Sequence, residues 1–222
     1  MIGVVKLVSI SGACSRAGKT ATAATLLESL PRGAAVAVKF TTTDDVFERC
    51  PRGTPCVVCN IEVPFRMIED PNMIRQPGTD TDRLAAAGAG RVIWTIAKTG
   101  SASVAWAALR RRVAPDDVLV MEGSTIVDLA RPQLHLFVVH PFLSPDRWKP
   151  TSARLIRKAD LVVVNRPGTD RRAPAASVMA AVRQSRGHRE VRVADVTRPL
   201  GEWAPDLVER LAVLANGSLS VR

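Results

Sequence analysis

Tyrosine is absent from this sequence and phenylalanine occurs only five times, so the ring platforms on which single-stranded nucleic acids stack are scarce. Lysine is sparse as well. Of 31 basic residues, only Lys6, Lys19, Lys39, Lys98, Lys149 and Lys158 are not arginine. No apolar run reaches the length that crosses a bilayer, and no repeat or low-complexity tract is present. The three histidines, His135, His140 and His188, are far in sequence from the cysteines, three of which cluster.

What is present points to one globular domain. The 222 residues are 46% hydrophobic and 23% charged, which argues against disorder and against a coiled coil. A single domain is expected over residues 1–215, with a cysteine-containing insertion at about 42–79 and a polar tail at 216–222. Met1–Ile10 is apolar but contains Lys6 and runs straight into a Gly-rich turn, so it reads as a first strand rather than a signal peptide. The expected location is cytoplasmic, with no membrane partner. A net charge of +10 will feel polyanions, yet the arginines are spread along the whole chain. Scattered solvated charge therefore outweighs a dedicated nucleic-acid surface, which stays as the lesser reading.

Short β-branched runs alternate with Ala/Leu/Arg stretches, the pattern of an α/β fold. A mostly parallel sheet of about seven strands with helices on both faces is expected. The strands fall at Val4–Ile10, Ala35–Thr41, Arg91–Ile96, Val118–Met121, Leu134–Val139, Leu161–Asn165 and Val191–Val196. The helices fall at Lys19–Leu30, Asp80–Ala87, Ala102–Val113, Thr151–Lys158, Pro174–Ser185 and Pro205–Leu214. Most strands are continuous apolar runs, as burial on both faces requires. Trp94 reads as core. Thr42–Thr79 breaks the rhythm, and a loop of that length is usually functional, disordered or organised by a metal.

The first strand leads into Gly12-Ala13-Cys14-Ser15-Arg16-Ala17-Gly18-Lys19-Thr20 and then a helix. Strand, Gly-Lys-Thr loop and helix are the setting of a phosphate-binding loop, whose amides face phosphates at the helix N-terminus. Lys19 would reach the β- and γ-phosphates and the Thr20 hydroxyl would bind Mg²⁺. Ala13 stands where the common pattern has its first Gly, with Gly12 one place earlier. Val118–Met121 ends in Glu122-Gly123, an acid at the end of an apolar strand and a second Mg²⁺ candidate. Asp44 and Asp45 are candidates for positioning Mg²⁺ or a reacting water, or are turn residues. Asn165, at a later strand end, offers a donor and an acceptor to a purine edge, and the loop holding Pro199 is a second wall for the base. Arg16 is a candidate γ-phosphate contact, and Asp80, Asp82 and Arg83 an acceptor-facing or switch segment.

Cys50, Cys56 and Cys59 form Cys-x5-Cys-x2-Cys. Metal or redox chemistry is the expected reading in a reducing compartment. A [4Fe-4S] cluster on three thiolates ranks first, then Zn²⁺, which normally wants four protein ligands, then free thiols. Cys14 in the phosphate loop is a candidate fourth ligand.

The loop, Glu122-Gly123 and Asn165 together resemble the P-loop NTPases grouped with the signal-recognition particle, MinD and dethiobiotin synthetase. Pro77-Gly78-Thr79-Asp80-Thr81-Asp82-Arg83, Ala86-Ala87-Gly88-Ala89 and Met121-Glu122-Gly123 follow in the order found in the nucleotide-binding adaptor of molybdopterin-guanine dinucleotide biosynthesis. The likeness covers most of the first 125 residues. The cysteine cluster and a less Gly/Ser-rich loop depart from the adaptor pattern, and the C-terminal half is more like dethiobiotin synthetase. The resemblance implies the P-loop NTPase fold, Mg²⁺-dependent ATP or GTP binding, and hydrolysis or phosphoryl transfer in metallocofactor or cofactor metabolism. It also implies a small-molecule or protein acceptor and a homodimer. A nucleotide-gated adaptor that docks on another enzyme is the alternative.

Overall fold

The computed structural model describes residues 6–42, 61–187 and 190–216. Their strands form one eight-stranded sheet in the order β3-β4-β2-β5-β1-β6-β7-β8. These are β1 Lys6–Gly12, β2 Ala35–Thr42, β3 Phe65–Ile68, β4 Arg91–Ala97, β5 Val118–Glu122, β6 Leu134–Val139, β7 Leu161–Asn165 and β8 Val191–Ala194. Every pairing is parallel except β3 with β4. The longer helices are α1 Lys19–Glu28, α3 Asp80–Ala86, α4 Ala102–Arg110, α6 Ser152–Lys158, α7 Ala176–Arg186 and α9 Pro205–Asn216. Single turns complete the set: α2 Pro71–Ile74, α5 Val127–Ala130 and α8 Leu200–Trp203.

Side chains alternate across a strand, so each apolar strand feeds two cores. On one face Val8, Ile10, Val120, Leu136 and Val163 meet Leu26 and Leu27 of α1, Leu84 of α3, and Leu207 and Leu211 of α9. On the other, Leu119, Met121 and Phe40 meet Trp106 and Leu109 of α4. Phe137, Val162 and Val164 meet Leu155 of α6 and Val178 and Val182 of α7. Burying each such side chain contributes about 1.5–3 kcal/mol against chain entropy. Between the second and third cores runs a buried polar strip on β1 and β6. There Ser9 and His135 are register neighbours, and Ser11 Oγ lies 2.6 Å from His135 Nε2.

The seven expected strands are found, the first from Lys6, where the described residues begin, and the other ends shifted by at most two residues, and the sheet gains an eighth. That strand, β3, lies in the segment expected to be loop. It has four residues between Pro64 and Pro71, too few to show an alternating pattern. Glu69 just beyond it takes ion pairs from Arg91 (2.8 Å) and Arg112 (3.1 Å), which hold this edge in place. The last strand stops at Ala194 rather than Val196 because Asp195 turns the chain. Its carboxylate accepts from Thr197 N at 3.0 Å and Gly168 N at 2.6 Å. Trp94 is core, as expected, and its Nε1 donates to Thr41 Oγ1 at 3.0 Å. Among the described residues no helix is long and apolar enough to cross a membrane.

Candidate functional site

The topology puts β1 at the centre, with β5 on one side and β6 on the other. At the C-terminal end of β1 the chain turns through Ala13–Gly18 and enters α1 at Lys19. Gly18 is the helix N-cap at φ 108°, and among the described residues no side chain makes a capping hydrogen bond there. The N–H groups of such a helix start suit an anion. Gly12 is needed for close approach. A β-carbon there would lie 2.8 Å from Val138 O and 3.0 Å from Lys19 Cγ. Lys19 folds back over the loop and donates to Cys14 O at 2.8 Å. Its pKa is lowered, chiefly by burial, with Glu122 pulling the other way. Ala13, Cys14 and Ala17 are buried, while Ser15 and Arg16 are exposed on the turn.

Glu122 ends β5 almost fully buried, 2% exposed. One carboxylate oxygen, Oε2, accepts from Thr20 Oγ1 at 2.8 Å across 102 positions of sequence. The other, Oε1, accepts from Lys39 Nζ at 2.7 Å, and the same ammonium donates to Asp80 Oδ2 at 2.7 Å. Lys39 and Glu122 are register partners of β2 and β5. Burial alone would depress Lys39, but the charges of Glu122 and Asp80 outweigh it and its pKa stands above that of free lysine. Burial would likewise raise Asp80, and Lys39, together with Thr20 and Lys19, more than reverses this, so its pKa is lowered.

The structure thus gathers Lys19, Thr20, Glu122 and Asp80 and adds Lys39, which the sequence reading did not assign. Its one signal was a lone lysine inside the apolar run Val36–Phe40. Asp80 heads α3, whose N-cap Thr79 accepts from Asp82 N at 3.3 Å. Asp82 therefore serves the helix start through its backbone, and Arg83 is exposed. Among the described residues no three acidic, His or Cys side chains converge as a metal site. A cation here would need the Thr20 hydroxyl and phosphate oxygens as well, the mixed oxygen set that Mg²⁺ favours.

Asn165 has both ends of its amide engaged within the protein. Nδ2 donates to Ala17 O at 3.1 Å and Oδ1 accepts from Val196 N at 3.3 Å, tying the loop after β8 to the β1–α1 turn. One amide hydrogen and one lone pair remain for a base. Pro199 is exposed and is the N-cap of α8. Asp44 and Asp45, the cysteines Cys50, Cys56 and Cys59, and the tail expected at 216–222 lie outside the described residues, save Asn216 at the end of α9. Cys14 is buried, and its thiol pKa is raised by that burial against the charges of Lys19, Lys149 and Arg147.

No protein-family model matches the chain, and no curated protein matches it in sequence.

Proposed function

We propose that the chain binds a nucleoside triphosphate with Mg²⁺ at the turn between β1 and α1, and hydrolyses it or transfers its terminal phosphoryl group. One observation carries this reading: the Thr20 hydroxyl, at the start of the helix that follows the Gly-Lys sequence, donates to a buried carboxylate at the end of the adjacent strand. The fold that goes with it is the P-loop NTPase fold, which the parallel sheet with a central β1 suits.

Thr20, Glu122 and Asp80 are the residues that would hold Mg²⁺, whose charge would offset that of the β- and γ-phosphate oxygens. The α1 amides and Lys19 orient the phosphates and stabilise negative charge that grows during transfer. A buried ammonium kept partly dehydrated does this more effectively than one in water, because the local dielectric is low. Lys39 holds the Glu122 and Asp80 side chains close together through one hydrogen bond to each. On the strength of the family resemblance, the acceptor belongs to cofactor or metallocofactor metabolism.

Titration calorimetry with Mg·ATP and Mg·GTP tests the reading. Lys19→Ala and Glu122→Gln are each expected to weaken binding at least about tenfold, roughly 1.4 kcal/mol. Unchanged affinity and turnover in both variants would overturn it.

A further inference from the structure

We infer that Lys39 is a built-in competitor of the metal: its ammonium and a divalent ion draw on the same two carboxylates, so that Lys39 bars the free ion and Mg²⁺ is admitted with the nucleotide. The inference rests on the nucleotide reading above and concerns how that same site is regulated.

The sheet fixes the place of the ammonium. β2 lies between β5 and β4, and Lys39 is the register partner of Glu122 on one side and of Trp94 on the other. Asp80 comes from outside the sheet, as the first residue of α3. Lys39 Nζ stands 2.7 Å from Glu122 Oε1 and 2.7 Å from Asp80 Oδ2. The remaining Glu122 oxygen, Oε2, accepts from Thr20 Oγ1 at 2.8 Å, so both oxygens of this carboxylate have a donor within the protein. The side chain of Glu122 is 2% exposed and that of Lys39 19%, against 46% for Asp80. The bridge therefore opens to water at its Asp80 end.

Two cations cannot hold these oxygens together. An ammonium and a dication side by side repel, and salt screens the repulsion little where one of the shared carboxylates is buried. An entering ion must therefore move Lys39 off. That leaves a mostly buried ammonium without either partner, which is a costly state. Mg²⁺ from solution offers nothing to offset this, and it gives up its own water reluctantly. Nucleotide phosphates change the balance, because they supply anionic oxygens for the displaced ammonium. A neutral side chain at position 39 removes the competitor and leaves Glu122 and Asp80 open to the bare ion.

The test titrates the full chain, without nucleotide, with Mn²⁺, which shares the oxygen preference of Mg²⁺. The paramagnetic resonance of the free ion gives the fraction bound. Wild type and Glu122→Gln are expected to give the same isotherm, since Glu122 is closed to the ion while Lys39 is present. Lys39→Met is expected to bind Mn²⁺ at least about tenfold more tightly than wild type, and Lys39→Met/Glu122→Gln to lose that gain. Circular dichroism checks that each variant is folded at the titration temperature. Lys39→Gln, neutral but still able to donate to a carboxylate, replaces Lys39→Met if that variant is not. A Mn²⁺ site in wild type that depends on Glu122 would overturn the inference by itself, as would the absence of any gain in the neutral variant or a gain that survives Glu122→Gln. Lys19 donates to Cys14 O and takes no part in the bridge, so Lys19→Ala separates the two proposals. If that variant binds Mg·ATP like wild type, the nucleotide reading fails, and the Mn²⁺ titrations still decide the competition.

Discussion

Asn165 occupies the space that a side chain on Gly18 would need. A β-carbon at Gly18 would stand under 3.0 Å from Asn165 Nδ2 and 3.1 Å from its Cγ. The glycine's bare backbone and the asparagine's amide therefore form one device that closes the β1–α1 turn against the loop after β8. Gly18→Ala meets both this clash and a φ of 108° that side chains resist.

Asn165→Ala is expected to lower the melting temperature and to weaken ATP and GTP binding alike, since two hydrogen bonds that shape the loop are lost, at a cost of about 1–3 kcal/mol. Parallel calorimetry with both nucleotides checks this. A change of preference between the two purines at unaltered melting temperature would instead assign the amide to base reading.

Lys39→Met leaves the buried Glu122 carboxylate without its ammonium. Removing one member of a buried pair costs about 3–5 kcal/mol. Thermal unfolding with and without millimolar Mg²⁺ is expected to show a large loss without the ion and partial recovery with it, beyond any shift in wild type. Equal melting temperatures for the two proteins without Mg²⁺ would contradict the role given to Lys39.

His135 gives stability an acid limb. Burial lowers its pKa from near 6.5 to about 4, against the pull of Asp160. The unfolded chain thus takes up a proton at a pH where the folded one refuses it. This contribution is complete above about pH 6.5 and declines as the pH falls toward 4, amounting to about 3 kcal/mol. Denaturant titrations from pH 7 to 4 should give a flatter profile for His135→Asn than for wild type, and identical slopes would rule out a buried neutral imidazole.

The cysteine cluster calls for elemental analysis. Protein purified without oxygen is expected to carry iron and acid-labile sulfide, both lost on substituting Cys50, Cys56 and Cys59 together. Zinc alone would make the site structural, and absence of metal from wild type would leave three thiols.

The fold was legible because its inner strands are buried on both faces and so appear as unbroken apolar runs, with Gly and Pro marking their ends. Lys19 and Thr20 stood out in the sequence because the Gly-Lys-Thr pattern is local, and the structure places Thr20 against Glu122. Glu122 was legible as an acid where an apolar strand ends. Lys39 was not, since its meaning depends on β2 lying beside β5 in a particular register, which no local spacing encodes. The engagement of Asn165 was hidden for the same reason, as its partners are 148 and 31 positions away. The edge strand β3 escaped notice because four residues between prolines carry too little periodicity.

The central place of β1 also orders events on the ribosome. The loop residues emerge early, but the carboxylate that meets Thr20 follows 102 residues later, roughly 5–20 s at ordinary rates of synthesis. β6, the other neighbour of β1, comes later still. A nascent chain that has exposed its Gly-Lys-Thr sequence thus holds the signature of the site without its second half. The hydroxyl–carboxylate contact can form only once the middle of the sheet has closed around its first strand.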